Sequence, residues 1–195
     1  MPTGAARDGE RVLMLAGDAA EELEVYYILY RLREAGYAVD VAAPKRGLMR
    51  LVVHDFEEGW DTYVERPGRN LAADLAFSEV DPEAYVGVVV PGGRAPEVIR
   101  MDADVRRIMA HFDERSLPIG TLCHGPQVPA ALGMLRGRRS TAFPPLAPDL
   151  EAAGATFEDA AVVIDGNMVS SRGWPDLAEW GGAFVGLLEG AAVTS

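Results

Sequence analysis

The chain has 195 residues, one cysteine and a formal net charge of −12. That length suits one domain around one core, and the acidic balance argues against nucleic acid or an anionic membrane as partner, since both require excess Lys and Arg. A lone cysteine excludes an intrachain disulfide; no apolar run approaches the ~20 residues of a membrane helix and the N-terminus lacks a signal-peptide pattern, so a cytoplasmic location is expected.

Residues 1–10 are small and polar and are expected to fray; residues 11–190 form the domain. Arg11–Ala16 (RVLMLA) is an apolar run of strand length that Gly17–Asp18 breaks. Ala19–Ala35 reads as a helix, ended by Gly36 in the C′ position. Tyr37–Ala43 is a second strand. Strand, helix and strand with short links make a βαβ unit, hence a parallel sheet. Alternation breaks over about 46–78. There Leu48–His54 and Trp60–Val64 read as short strands around a turn at Glu57–Gly59, with a further turn at Pro67–Gly68. The stretch is too short for a second domain and is expected to be an inserted hairpin. Gly87–Val90 is an apolar strand of the doubly buried kind. Asp102–Arg115 carries Val105, Ile108, Met109 and Phe112 at helical spacing. Leu117–Leu122 is the next strand and His124–Leu135 the next helix, with Pro126 tolerated in its first turn. Ser140–Phe143, Thr156–Phe157, Ala161–Ile164 and Met168–Ser171 read as later strands, and Leu146–Ala153 and Asp176–Leu188 as later helices. Asp165–Gly166–Asn167 between two apolar runs signals a hairpin.

This pattern predicts an α/β fold, a doubly wound sheet with helices on both faces. Sites in such sheets form beyond the carboxyl ends of the parallel strands. Three strand ends deliver chemistry there. The first brings Asp18, Glu21 and Glu22, the third Pro91–Gly92–Gly93, and the fourth Cys123–His124–Gly125. In GTLCHGPQ (Gly120–Gln127) a strand turns into a helix with Gly on either side of Cys123, the pattern of a nucleophile elbow. A helix end there is expected to lower the thiol pKa. A buried structural cysteine is the plainer alternative, and the Gly-flanked turn weighs against it. Gly92 and Gly93 let backbone N–H groups approach a ligand, and with the N–H of His124 they could form an oxyanion hole.

A carboxyl group is expected to reach over the first strand end towards Cys123. Glu21 and Glu22 lie about 100° apart on a helix, so only one can point there. Glu22 and Glu24 are otherwise read as a solvated face. His54 and His111 read as surface or packing residues. CxxC, HExxH, Walker A and GxGxxG motifs are all missing, so neither a metal nor a nucleotide cofactor is indicated.

Four further blocks carry a specific resemblance. PGGRAPEVIR (Pro91–Arg100), TLCHGPQ (Thr121–Gln127), LRGRRSTAFP (Leu135–Pro144) and VVIDGNMVSSRGWPDL (Val162–Leu177) resemble the ThiJ/PfpI family in order and spacing over roughly residues 11–188. The resemblance implies a flavodoxin-like three-layer sandwich, like the class I glutamine amidotransferases. It implies Cys123 as nucleophile, Glu21 beside it and His124 directly after it. In the archaeal intracellular protease branch a glutamate from a neighbouring subunit completes a triad, and that position falls on Glu97. The resemblance therefore points to a homo-oligomer, whether dimer, trimer or hexamer. VHDFEEGWDTYVERPGRN (Val53–Asn70) is similar to the insertion in members with glutathione-independent glyoxalase activity, with Arg69 where those often have histidine.

Three functions follow as expectations. The first is cofactor-free conversion of a small carbonyl substrate, a 2-oxoaldehyde such as methylglyoxal, to a 2-hydroxy acid, or deglycation by the same first step. The second is peptide hydrolysis by Cys123 and His124 with Glu97. The third is a non-enzymatic oxidative-stress sensor or chaperone in which Cys123 is oxidised to a sulfinic acid.

Overall fold

Strand β1 (Arg11–Leu15) is apolar at every position after Arg11, and the fold buries both of its faces. The computed structural model describes residues 9–190; most of the expected N-terminal extension lies outside them. Val12 and Met14 face a layer formed by helices α1 (Glu22–Glu34) and α6 (Leu177–Leu188). Leu13 and Leu15 face the opposite layer, which holds α3 (Ala103–Glu114), α4 (Gln127–Ala131) and α5 (Ala147–Ala152). Alternate residues of one strand thus belong to two cores, as the pleat requires. The Val105, Ile108, Met109 and Phe112 stripe predicted for α3 is fully buried. Each such side chain contributes about 1.5–3 kcal/mol by leaving water.

After β1 come β2 (Ala38–Ala43), the hairpin strands β3 (Gly47–Asp55) and β4 (Val64–Ala73), and the edge strand β5 (Leu75–Ala76). Then follow β6 (Gly87–Val90), the short α2 (Ala95–Ile99), β7 (Ile119–Leu122), β8 (Arg139–Ser140), β9 (Thr156–Phe157), β10 (Val162–Asp165) and β11 (Met168–Ser171). Seven strands form one sheet in the order β10-β11-β7-β6-β1-β2-β5. Every pair in it is parallel except β10 with β11, which are joined at the predicted Gly166–Asn167 turn. The result is the expected flavodoxin-like sandwich, with β1, β6 and β7 adjacent at its centre. Strands β8 and β9 form a small separate parallel pair.

Three sequence expectations need correction. Helix α1 begins at Glu22, not Ala19. Ala19 sits at φ 64° and Ala20 and Glu21 bridge to Gly93 and Val52, so this segment is spent on holding loops together. The helix after Cys123 is only Gln127–Ala131, short enough that Pro129 stays within its first turn, where no N–H is needed. The second hairpin strand runs from Val64 to Ala73, not from Trp60 to Val64, and Pro67–Gly68 lies inside it rather than at a turn. Pairing shifts register between Arg50 and Val52, so Gly68 and Arg69 oppose the single residue Leu51. A bulge of this kind accommodates proline in a strand.

Candidate active site

The loops after β1, β6 and β7 meet at one point, and backbone hydrogen bonds fix them there. Arg94 N–H donates to the Ala19 carbonyl at 2.8 Å and Glu21 N–H to the Gly92 carbonyl at 3.2 Å. Gly93 has φ 74°, and a Cβ on it would lie 2.2 Å from the Ala19 oxygen. Only glycine can close this junction. The hairpin crosses above it: Val52 N–H donates to the Ala20 carbonyl, and Ala19 N–H to that of Arg50.

Cys123 follows β7 with φ 53°, a left-handed conformation that is rare for a residue with a side chain. This is the strained turn expected of an elbow. A Cβ on Gly125 would lie 2.3 Å from the Val90 oxygen, which is why the turn can pass so close to β6. The sulfur is 3.2 Å from His124 Nδ1, so the two adjacent side chains do touch. The N–H groups of Gly93 and His124 face the sulfur and favour its ionised form.

The glutamate beside the sulfur is Glu24, not Glu21. Gly92 N–H donates to Glu24 Oε2 at 2.6 Å, and Glu24 lies against Cys123, although its Oε1 closes no hydrogen bond. Glu21 is the N-cap of α1, and its carboxylate turns back to accept from Glu24 N–H at 2.8 Å. The cause is the late helix start, which leaves Glu21 extended and lets Glu24 project from the first turn. Gly92 is likewise corrected: its N–H is taken by Glu24, which leaves the N–H groups of Gly93 and His124 as the ones that face the sulfur.

Burial dominates the electrostatics. It raises Glu24 to about 8, aided by the Glu21 charge, and Glu21 to about 7. It lowers His124 to about 4, with repulsion from His54 adding to the effect. It pushes the Cys123 thiol up, and the Glu24 charge adds to this. The expected fall in the thiol pKa is thus overturned: α4 begins four residues later, and desolvation outweighs the two N–H groups. A carboxylate and a thiolate cannot both be ionised side by side in so dry a place. The pair therefore retains a proton near neutral pH, with a neutral imidazole next to it.

The sulfur opens on a cavity of about 450 Å³. One wall is aromatic: Phe56 and Tyr63 from the hairpin, Phe143 after β8, and Trp174 after β11. Phe143 stacks on the His124 ring at 5.4 Å, and Tyr63 meets both edge-on. His54 is a buried part of this wall, the packing rather than the surface alternative of its sequence reading. It stacks on Tyr63 at 4.1 Å, and its Nε2 is 3.0 Å from Glu65, which in turn grips Arg94 through two bonds of 2.7 Å. Those contacts hold Glu65 down to about 2. At the rim, Arg172 is bound by Asp176 and Asp159. Arg69 grips the buried carboxylate of Glu22 and so ties β4 to α1, away from this cavity. Glu97 is exposed in the first turn of α2 and makes no contact with Cys123 in the single chain. His111 packs on Phe112, as expected.

From sequence, Glu24 reads as part of a solvated face and His54 as surface or packing, while Tyr63, Phe143 and Trp174 are not singled out; Glu24 is in fact fully buried. A signal existed for Glu24, since Glu21 and Glu24 are spaced to share one helix face. The aromatic wall had none, because its members come from three distant segments. Among the described residues no cluster of three metal-ligating side chains occurs, and no helix is long and apolar enough to cross a membrane.

A strained cysteine at a βα junction, with a buried glutamate and an adjacent histidine on a flavodoxin-like sheet, defines a class of cysteine-elbow α/β proteins. The profile described as the DJ-1/PfpI family matches residues 10–187, and the chain belongs to that family. It is similar to a deglycase of Pyrococcus abyssi, 40% identical over 179 residues, covering 92% of this chain and 99% of that protein. A deglycase of Thermococcus kodakarensis is 39% identical over 178 residues, covering 91% and 99%. Among solved structures, a two-domain protein of Anabaena variabilis with DJ-1/ThiJ/PfpI-like and ferritin-like domains superposes with a TM-score of 0.80 at 29% identity. That match covers 95% of this chain and 50% of the Anabaena chain, so this chain spans half its length. Drosophila melanogaster DJ-1beta shares the fold at a TM-score of 0.77 and 24% identity, covering 93% of this chain and 91% of that one.

Proposed function

We propose that this protein is a cysteine-dependent enzyme that converts 2-oxoaldehydes to 2-hydroxy acids, or removes such groups from glycated amines by the same first step. One observation carries the reading: sulfur, carboxyl and neutral imidazole share one desolvated corner under two backbone N–H groups. Similarity to two archaeal deglycases over nearly the whole chain supports it.

The Cys123 sulfur adds to the aldehyde carbon, and its proton passes to the oxygen, giving a hemithioacetal. The donors that face the sulfur, Gly93 and His124 N–H, also face an oxygen on a carbon bonded to it. His124 is neutral above about pH 4 and can take the proton from C1 and return it at C2. The enediol so formed collapses to a thioester of the 2-hydroxy acid. Water then releases the acid and restores the thiol. Protonated Glu24 steadies the sulfur throughout. Lactate formation from methylglyoxal should vanish in Cys123→Ala; equal turnover by that variant sinks the reading.

Peptide hydrolysis is a second reading, favoured by the 3.2 Å contact between His124 Nδ1 and the sulfur. It requires a homo-oligomer that brings Glu97 of a neighbour to the His124 ring. Cleavage of fluorogenic peptides that survives Glu97→Gln would remove the triad.

A further inference from the structure

The cavity at Cys123 is far larger than methylglyoxal. At about 450 Å³ it falls in the range of roughly 300–1,000 Å³ that encloses drug-sized ligands. A three-carbon aldehyde on the sulfur would leave most of that space to water against aromatic surface. Three rings, Phe56, Phe143 and Trp174, line the same cavity as the sulfur. Phe56 stands 6.5 Å from Phe143 and 6.3 Å from Trp174, centre to centre, at tilts of 37° and 41°. Rings prefer offset or tilted neighbours at such spacings, and a fourth ring extends the cluster favourably. Phe56 is 61% exposed although it lies at the mouth of this cleft. A large apolar side chain held open beside other rings is a surface that a ligand would cover.

Charge narrows the choice further. Arg172 is the guanidinium on the rim, and Asp176 and Asp159 already hold it at 2.9 and 3.0 Å. It has little left for a substrate carboxylate, so the cleft favours an uncharged tail.

We infer that the preferred substrates of Cys123 are 2-oxoaldehydes bearing an aromatic ring, with the ring lodged among Phe56, Phe143 and Trp174. This rests on the 2-oxoaldehyde reading above and adds the substrate class. Phenylglyoxal is the simplest case. Its aldehyde carbon bonds to the sulfur, hydrogen moves from C1 to C2, and water cleaves the thioester to give mandelate. C1 is oxidised as C2 is reduced, so no outside oxidant or reductant enters.

The test compares kcat/KM for phenylglyoxal and methylglyoxal in wild type, Cys123→Ser, Phe56→Ala and Trp174→Ala. Wild type should favour phenylglyoxal by about tenfold or more, and each ring truncation should shrink that ratio severalfold. Cys123-dependent turnover that is equal for the two aldehydes, or a ratio untouched by both truncations, overturns the ring preference and leaves the 2-oxoaldehyde reading intact. Turnover of both aldehydes that persists in Cys123→Ser overturns that reading instead. A binding measurement decides the ring site without turnover: Cys123→Ser is titrated with mandelate and with lactate, following tryptophan fluorescence. Mandelate should bind at least tenfold tighter, and Trp174→Phe should abolish its signal. If mandelate gives no change while N-acetylphenylalaninamide does, the rings hold a peptide side chain and the inference falls.

Discussion

Replacing Glu24 by glutamine removes one titrating proton from the buried corner and keeps its shape. The Gly92 N–H bond survives, because an amide oxygen can accept it. In the folded protein Glu24 is raised from 4.5 to about 8, chiefly by desolvation. Between those values the unfolded chain has released the proton and the folded chain keeps it. Folded protein then binds more protons than unfolded, so stability falls as pH rises through that window. One proton corresponds to a slope of roughly 1.4 kcal/mol per pH unit. Summed over the window, wild type should lose about 2–5 kcal/mol to this group, the lower figure applying if the corner relaxes on ionisation. Urea unfolding at pH 5, 6, 7 and 8 measures it. Glu24→Gln should show a shallower decline, with the two proteins diverging as pH rises and the variant the more stable of the two at pH 8. Glu21, raised to about 7 for the same reason, leaves a residual slope in both. Parallel curves would refute the claim that Glu24 holds its proton at neutral pH.

Four other outcomes follow from the same geometry. The pH–rate profile should have its acid limb near 4, where His124 gains a proton, and its alkaline limb near 8, where Glu24 loses one; an acid limb between 6 and 7 would show that the imidazole is not desolvated. Gly92→Ala places a Cβ 2.5 Å from that of Cys123 and 2.9 Å from Glu24 Oε2, so Cys123-dependent turnover should fall by about 100-fold or more, read by steady-state kinetics. Gly120→Ala puts a methyl 2.7 Å from Trp180 in the core between β7 and α6, and should cost about 1–3 kcal/mol in urea unfolding by overpacking. Arg94→Ala frees Glu65 from its two-bond clasp, so the Glu65 pKa should rise from about 2 towards the ordinary carboxylate range in an NMR titration, while stability changes by less than about 1 kcal/mol because the pair is partly exposed.

The legible part of the fold was the part governed by local pattern. GVVV at Gly87–Val90 and the α3 stripe are buried on every predicted position because a central strand and an amphipathic helix write their surroundings into their own residues. The Gly166–Asn167 hairpin was legible for the same reason. The insertion was legible as a hairpin but not in register. Its second strand is mostly solvent-facing, with few apolar residues to mark its ends, and the Pro67–Gly68 bulge looks like a turn until its partner Leu51 is known.

The misplaced glutamate shows where such reading stops. The elbow at Cys123 could be found because its geometry is written in adjacent residues: strand, glycine, cysteine, glycine, helix. The identity of its carboxyl partner depends on where α1 starts, and that is decided elsewhere. Gly93 receives Ala20, Val52 receives Glu21, and Ala19 is forced to φ 64° between them. These contacts delay the helix by three residues and rotate its first turn. An early start would have put Glu21 and Glu22 in competition for the sulfur. The late start makes Glu21 a cap and sends Glu24 inward, so the two carboxyls act in series, one ordering the N–H of the residue that carries the other. Glu21 is therefore a positioning residue. Its replacement by glutamine should perturb the corner less than the same change at Glu24, because an amide oxygen can still cap the helix but cannot supply the proton beside the sulfur.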